Sequence, residues 1–184
     1  MKPDSLNQVR ITELAKDDPS LPKLNSRYST TSYYDLAILQ EYGAWKIDLA
    51  LKPLEKPMEK SYTGTFFEAH IEEPRAFSAA VNGNQVGWVE LGYEKWNNRM
   101  RVWEFLVKED FRRMGVGGLL TDFAIRIARE KGERMLVLET QSYNVPAISF
   151  YLKKGFKLIG LDSTAYSNED AIKREVRLEF GLVL

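Results

Sequence analysis

The chain has 184 residues, 44% of them apolar, with 26 basic residues balanced by 26 acidic ones and no cysteine. That length predicts one domain over 1–184 with a substantial core, and the zero net charge gives nucleic acid no bulk attraction. Without cysteine there are no disulfides, thiol nucleophiles or cysteine metal sites.

In chain order, Met1 to Leu14 mixes polar residues throughout and holds no apolar leader, and no apolar run reaches membrane length. The expectation is a cytoplasmic protein with no membrane partner. Gln8 to Leu14 reads as a first strand, closed by the turn-forming run Asp17-Asp18-Pro19-Ser20. Tyr33, Leu36, Ala37 and Gln40 have helical spacing and predict a helix over Tyr33 to Tyr42. Trp45, Ile47, Leu49 and Leu51 alternate as a half-buried strand does, and Pro53 and Pro57 then bracket a loop. His70, the only histidine, falls in the poorly patterned stretch from Tyr62 to Glu73, which reads as surface or substrate loop. Arg75 to Val81, the pair Asn82-Gly83, and Gln85 to Leu91 predict a hairpin, because Asn-Gly suits both left-handed positions of a type I′ turn. A third strand over about Arg99 to Val107 follows the turn Trp96-Asn97-Asn98 and completes an antiparallel meander.

The period then changes from two to 3.6. Leu119, Leu120, Phe123, Ala124, Ile127 and Ala128 share one face of a predicted helix over Gly117 to Lys131, with Gly132 as its stop. Met135 to Leu138 is wholly apolar, as suits a strand covered on both faces. A second helix runs from Asn144 toward Gly155, a strand over Phe156 to Leu161, and a last strand over Arg174 to Leu184.

Two motifs carry chemistry. Arg112-Arg113-Met114-Gly115-Val116-Gly117-Gly118 joins a strand to a helix, a junction whose unpaired N–H groups and positive dipole end suit phosphate. A P-loop would need Lys-Ser or Lys-Thr after the last glycine, but Leu119-Leu120 stands there. A dinucleotide fingerprint would need glycine at Leu120. By itself the run fits equally a tight strand-to-helix turn with solvated arginines. Downstream, Asn144, Ala147, Phe150, Tyr151, Gly155 and Phe156 form Asn-x-x-Ala-x-x-Phe-Tyr-x-x-x-Gly-Phe.

Together the two runs resemble the acetyl-coenzyme A site of the GNAT superfamily of N-acetyltransferases. The resemblance implies an α/β (α+β) fold: a mixed sheet of about six to seven strands, an antiparallel N-terminal meander, a βαβαβ C-terminal half, and helices on both faces. The cofactor-binding core would span about 85–161. It also implies that Arg112, Arg113, Met114, Gly115, Val116, Gly117 and Gly118 cradle the pyrophosphate. Phe105, Leu106 and Val107 would offer backbone N–H groups to the acetyl and pantetheine groups. Asn144, Ala147, Phe150 and Tyr151 would complete the acetyl-coenzyme A site, with the Tyr151 hydroxyl as general acid toward the departing thiolate. Trp96-Asn97-Asn98-Arg99, Leu138-Glu139-Thr140-Gln141, Gly160-x-Asp162 and Tyr166-x-Asn168 are further similar to streptothricin acetyltransferases, over about Trp88 to Phe180.

The reaction so implied is direct attack of a primary amine of a small molecule on the acetyl carbonyl, with no metal. An amine of pKa about 10.4 is only about 0.04% neutral at pH 7, so a base is worth about 4.6 kcal/mol to the reaction. Glu104, on the strand leading to the glycine run, is the first candidate. A strand glutamate there also reads as an ordinary salt-bridge partner. Glu139 and Asp162 are candidates to bind a cationic acceptor, as is Glu90. The residues of Tyr28 to Tyr42 serve equally as substrate, core or homodimer contacts. A protein or peptide N-acetyltransferase and a non-catalytic acyl-coenzyme A sensor are the alternatives.

Overall fold

The computed structural model describes residues 9–184; the predictions for Met1 to Gln8 lie outside the described residues. In order, the elements are strands β1 (Val9–Leu14), β2 (Leu24–Glu41), β3 (Ala44–Gly64), β4 (Arg75–Val81), β5 (Asn84–Glu94) and β6 (Arg99–Val107). Then come helix α1 (Val116–Lys131), β7 (Met135–Gln141), α2 (Val145–Lys153), β8 (Lys157–Asp162), the short α3 (Asp170–Lys173) and β9 (Arg177–Val183). Seven strands make one mixed sheet in the order β1-β4-β5-β6-β7-β9-β8, while β2 and β3 form a separate two-stranded sheet. Among the described residues, no helix is long and apolar enough to cross a membrane.

The chain divides into two compact units. The first holds the described residues through Ser26, Tyr62–Leu138 and Leu182–Leu184. Its frame is the antiparallel meander: β1 on β4, β4 on β5, β5 on β6, with the start of β7 parallel to β6. Asn82 and Gly83 both take positive φ, 50° and 79°, so the hairpin turn is of the primed type that matches strand twist. Leu14, Leu24, Ala76, Trp88 and Leu106 form a core cluster beneath Leu21, Phe66 and Phe67. Helix α1 lies on β5 and β6. Gly87 permits this approach, since a Cβ there would stand 2.9 Å from Leu120 Cδ1 and 3.1 Å from Val116 Cγ1. The buried face of α1 is Val116, Leu120, Thr121, Ala124, Ile127 and Ala128, while Leu119, expected inside, is exposed. Gly132 ends the helix at φ 79°.

The second unit holds Arg27–Ser61 and Glu139–Gly181. Here two predictions fail. Tyr33 to Tyr42 is not a helix: through Glu41 it is the second half of β2, an 18-residue strand paired with the 21-residue β3. The buried positions of β2 are Leu24, Thr30, Tyr33 and Asp35; of the residues with helical spacing only Tyr33 is buried, while Ala37 and Gln40 face solvent. Pro53 and Pro57 likewise lie within β3 instead of in a loop. A two-stranded sheet leaves one edge of each strand without a ladder, so a missing N–H costs little there. In the C-terminal half, β9 is antiparallel to β8 and stands between β7 and β8 in the sheet order, a detail that the order of elements alone does not dictate.

Candidate active site

The glycine run sits in the first unit, between β6 and α1. Arg112 has extended backbone, Arg113 turns left-handed at φ 61°, and Gly115 caps α1 at φ 90°. Left-handed backbone suits Gly115 without cost, whereas at Arg113 it carries strain of the kind seen at binding turns. No side chain caps the helix and no acidic residue lies in its first turn. The first turn of the helix is the positive end of its dipole, which suits a diphosphate. Arg112 donates through Nε to the Val107 carbonyl at 3.2 Å, which anchors the start of the turn to the end of β6.

Two carboxylates share β5 and β6. Glu90 and Glu104 are register partners, and a bulge follows Glu90. Glu104 is buried and accepts a hydrogen bond from the Tyr62 hydroxyl at 2.6 Å. Gly64 fits closely over this pair, since a Cβ there would lie 2.6 Å from both Glu104 Oε1 and the Tyr62 oxygen. Glu90 has no solvent exposure and accepts from the Phe67 N–H at 2.6 Å, with Phe67 left-handed at φ 60°. Burial pushes the Glu90 carboxyl up to about 7, against the opposing effect of that hydrogen bond. The β6–β7 ladder runs to Val102↔Leu138, and Phe105, Leu106 and Val107 follow on β6, opposite Val89, Trp88 and Gly87 of β5. His70 is exposed, with Nδ1 3.3 Å from Glu68 and its ring edge-on to Trp103.

In the second unit, Asn144 is the N-cap of α2, and its Oδ1 accepts from the Ala147 N–H at 3.3 Å. Pro146 stands in the first turn, where its missing donor is harmless. Tyr151 is buried on the same helix, edge-on to Phe150 and Phe156, and burial holds its hydroxyl well above the ordinary tyrosine range. Glu139 on β7 receives the Tyr166 hydroxyl at 3.4 Å and lies 3.6 Å from Arg177 Nε. Asp162 holds a local turn: its Oδ1 accepts from both the N–H and the hydroxyl of Thr164, and those bonds keep its carboxyl below the usual range.

The first unit thus gathers Glu90, Glu104 and the glycine run around β5 and β6, and the second gathers Asn144, Ala147 and Tyr151 on one helix. Tyr62 as a direct partner of Glu104 escaped the sequence reading, because residues 42 positions apart meet only through the fold.

The model of the acetyltransferase (GNAT) family matches residues 32–156, and the chain belongs to that family. It is an acetyl-coenzyme A-dependent acetyltransferase. Among relatives, it is 29% identical over 154 residues to a streptothricin acetyltransferase of Streptomyces lavendulae, covering 82% of both chains. It is 31% identical over 131 residues to streptothricin acetyltransferase A of Bacillus subtilis, covering 70% of this chain and 74% of that one. Its fold is similar to nourseothricin acetyltransferase, with a TM-score of 0.76, 27% identity, and coverage of 96% and 98%. It is also similar to a Bacillus anthracis protein assigned to the streptothricin acetyltransferases and solved with acetyl coenzyme A, with a TM-score of 0.78, 24% identity, and coverage of 96% and 99%.

Proposed function

We propose that the chain acetylates a primary amine of a cationic small molecule of the streptothricin type. The observation that carries this reading is the Tyr62–Glu104 pair: a buried carboxylate, held by a tyrosine hydroxyl, on the strand that leads into the glycine turn. Acetyl-coenzyme A supplies an acyl carbon activated as a thioester and a sulfur able to leave. Arg112 to Gly118 bind the diphosphate through first-turn amides and arginine charge. Glu104 takes a proton from the acceptor ammonium, directly or through a water, which frees the neutral amine to attack, and Tyr62 fixes the orientation of the carboxylate that does so. The backbone of Phe105, Leu106 and Val107 holds the acetyl oxygen as charge develops on it.

Asn144 uses Oδ1 for its own helix and offers its Nδ2 group to the pantetheine arm. Tyr151, kept protonated by its burial, gives a hydrogen bond to the departing sulfur. Glu139, with its oxygens near Tyr166 and Arg177, contributes charge to the acceptor side. Asp162 helps to anchor the acceptor through the rigid turn it builds with Thr164.

The test is thiol release from acetyl-coenzyme A against a panel containing streptothricin, simple polyamines and peptide N-termini. Release with the first two and none with peptides is expected. Release with peptide N-termini alone would replace this reading by a peptide N-acetyltransferase.

A further inference from the structure

Glu175 follows α3 and enters β9 with its side chain only 8% exposed. One carboxylate oxygen, Oε2, forms an ion pair of 2.6 Å with Lys60 Nζ. The other, Oε1, is buried with no hydrogen-bond partner. An ionised oxygen left this way is costly, so a donor is expected to reach it. The other buried acids of the same unit are better supplied. Asp35 is held by Lys52 and Arg174, and Asp170 accepts from the Ser167 hydroxyl and the Tyr166 N–H.

The setting suits an ammonium group. Tyr143, whose hydroxyl donates to the Lys173 carbonyl at 2.7 Å, is the aromatic side chain of this site. Lys60 Nζ already lies over the Tyr143 ring, 4.7 Å from its centroid, while bound to the carboxylate. A carboxylate and an aromatic face around one ammonium are the elements of a cation site. Lys60 sits near the end of β3 on a flexible four-carbon stem, and its side chain is 20% exposed, so this ammonium can swing outward. The site also adjoins the acetyl-transfer elements of its own unit. Val176 donates to the Ser142 hydroxyl at 3.1 Å and accepts from the Ser142 N–H at 2.8 Å, just ahead of Asn144 at the cap of α2.

We propose that Glu175, with the Tyr143 ring beside it, is a subsite for an alkylammonium group of the acceptor, and that Lys60 is its resident, displaceable counter-ion. The subsite deepens the cationic-acceptor reading and rests on it. It binds a second, non-reacting ammonium, so polycationic acceptors are favoured over monoamines.

The experiment is calorimetric titration of the full chain with spermidine, without acetyl-coenzyme A, on the parent, Glu175→Gln and Lys60→Met. The parent should bind, Glu175→Gln should bind at least about tenfold more weakly, and Lys60→Met should bind several-fold more tightly because the competing ammonium is gone. A lysine that served only to stabilise the fold would give the opposite sign or no change in Lys60→Met. Absence of binding to the parent, equal binding to Glu175→Gln, or unchanged or weaker binding to Lys60→Met each overturns the proposal. Should Glu175→Gln fail to fold, Lys60→Met decides alone. Acetyl-coenzyme A affinity, titrated on the same samples, should be the same in all three proteins. Its absence from the parent would sink the acetyltransferase reading without touching the cation subsite.

Discussion

Asn144 has two duties in one side chain, and they can be separated. Its oxygen caps α2, and its amide nitrogen is the proposed pantetheine donor. Asn144→Asp keeps the cap, whereas Asn144→Ala loses both and should cost about 1 kcal/mol of stability. Both should weaken acetyl-coenzyme A binding by calorimetry, but only the alanine should lower the melting temperature. Tyr151→Phe should leave cofactor affinity nearly intact while lowering turnover about 10²-fold, the usual size of a proton donor's contribution. Turnover equal to the parent's would return Tyr151 to the core. Glu90 makes a separate prediction about pH. Its native carboxyl stands at about 7 against an ordinary 4.5, so between those values the native state holds a proton that the unfolded chain has lost. Stability should therefore fall as pH rises from about 4.5 to about 7, and Glu90→Gln, which can still accept from Phe67, should flatten that part of the melting profile. A profile identical to the parent's would show that Glu90 is ionised throughout.

The glycine turn is where the elements and the chemistry can be told apart. Gly117 lies in the first turn of α1, and its carbonyl accepts the Thr121 hydroxyl at 2.9 Å. An aspartate at a first-turn position favours the helix through the dipole but repels a diphosphate. Gly117→Asp should thus keep or raise the melting temperature while sharply reducing acetyl-coenzyme A affinity; loss of both together would mean the turn is structural. This element was legible because its signals are local: Arg-x-x-Gly-x-Gly before a 3.6-residue apolar period, and Asn82-Gly83 between two alternating runs. Of the β2–β3 hairpin, only the strand at Trp45 to Leu51 was. Its Ile38, Trp45, Ile47 and Leu51 are exposed, so its apolar residues do not mark a buried face, and the prolines of β3 imitate a loop. Periodicity reports burial, and where burial is slight it can point to the wrong element.

At the scale of the molecule, the residues proposed for the cofactor stand in two contiguous runs, and those proposed for the acceptor do not. Tyr62 and Glu104 are separated by 42 residues, and Lys60 and Glu175 by more, with no spacing rule to connect them. Acidic residues at such positions look like solvated charges until the fold buries them, as the 8% exposure of Glu104 illustrates. The pH dependence of Glu104→Gln follows from the same burial. Activity should fall chiefly at neutral pH and recover in part as the pH approaches the amine's own pKa, because solvent then supplies the neutral amine.

The central claim, that this chain moves an acetyl group from acetyl-coenzyme A to a cationic amine, is tested most directly by mass spectrometry of streptothricin incubated with the protein and acetyl-coenzyme A. The account predicts a product heavier by one acetyl group, formed with equimolar thiol release and lost in Gly117→Asp. Tight acetyl-coenzyme A binding with no acetylated product and no amine-dependent thiol release, for streptothricin and for polyamines alike, would contradict it and leave an acyl-coenzyme A sensor in its place.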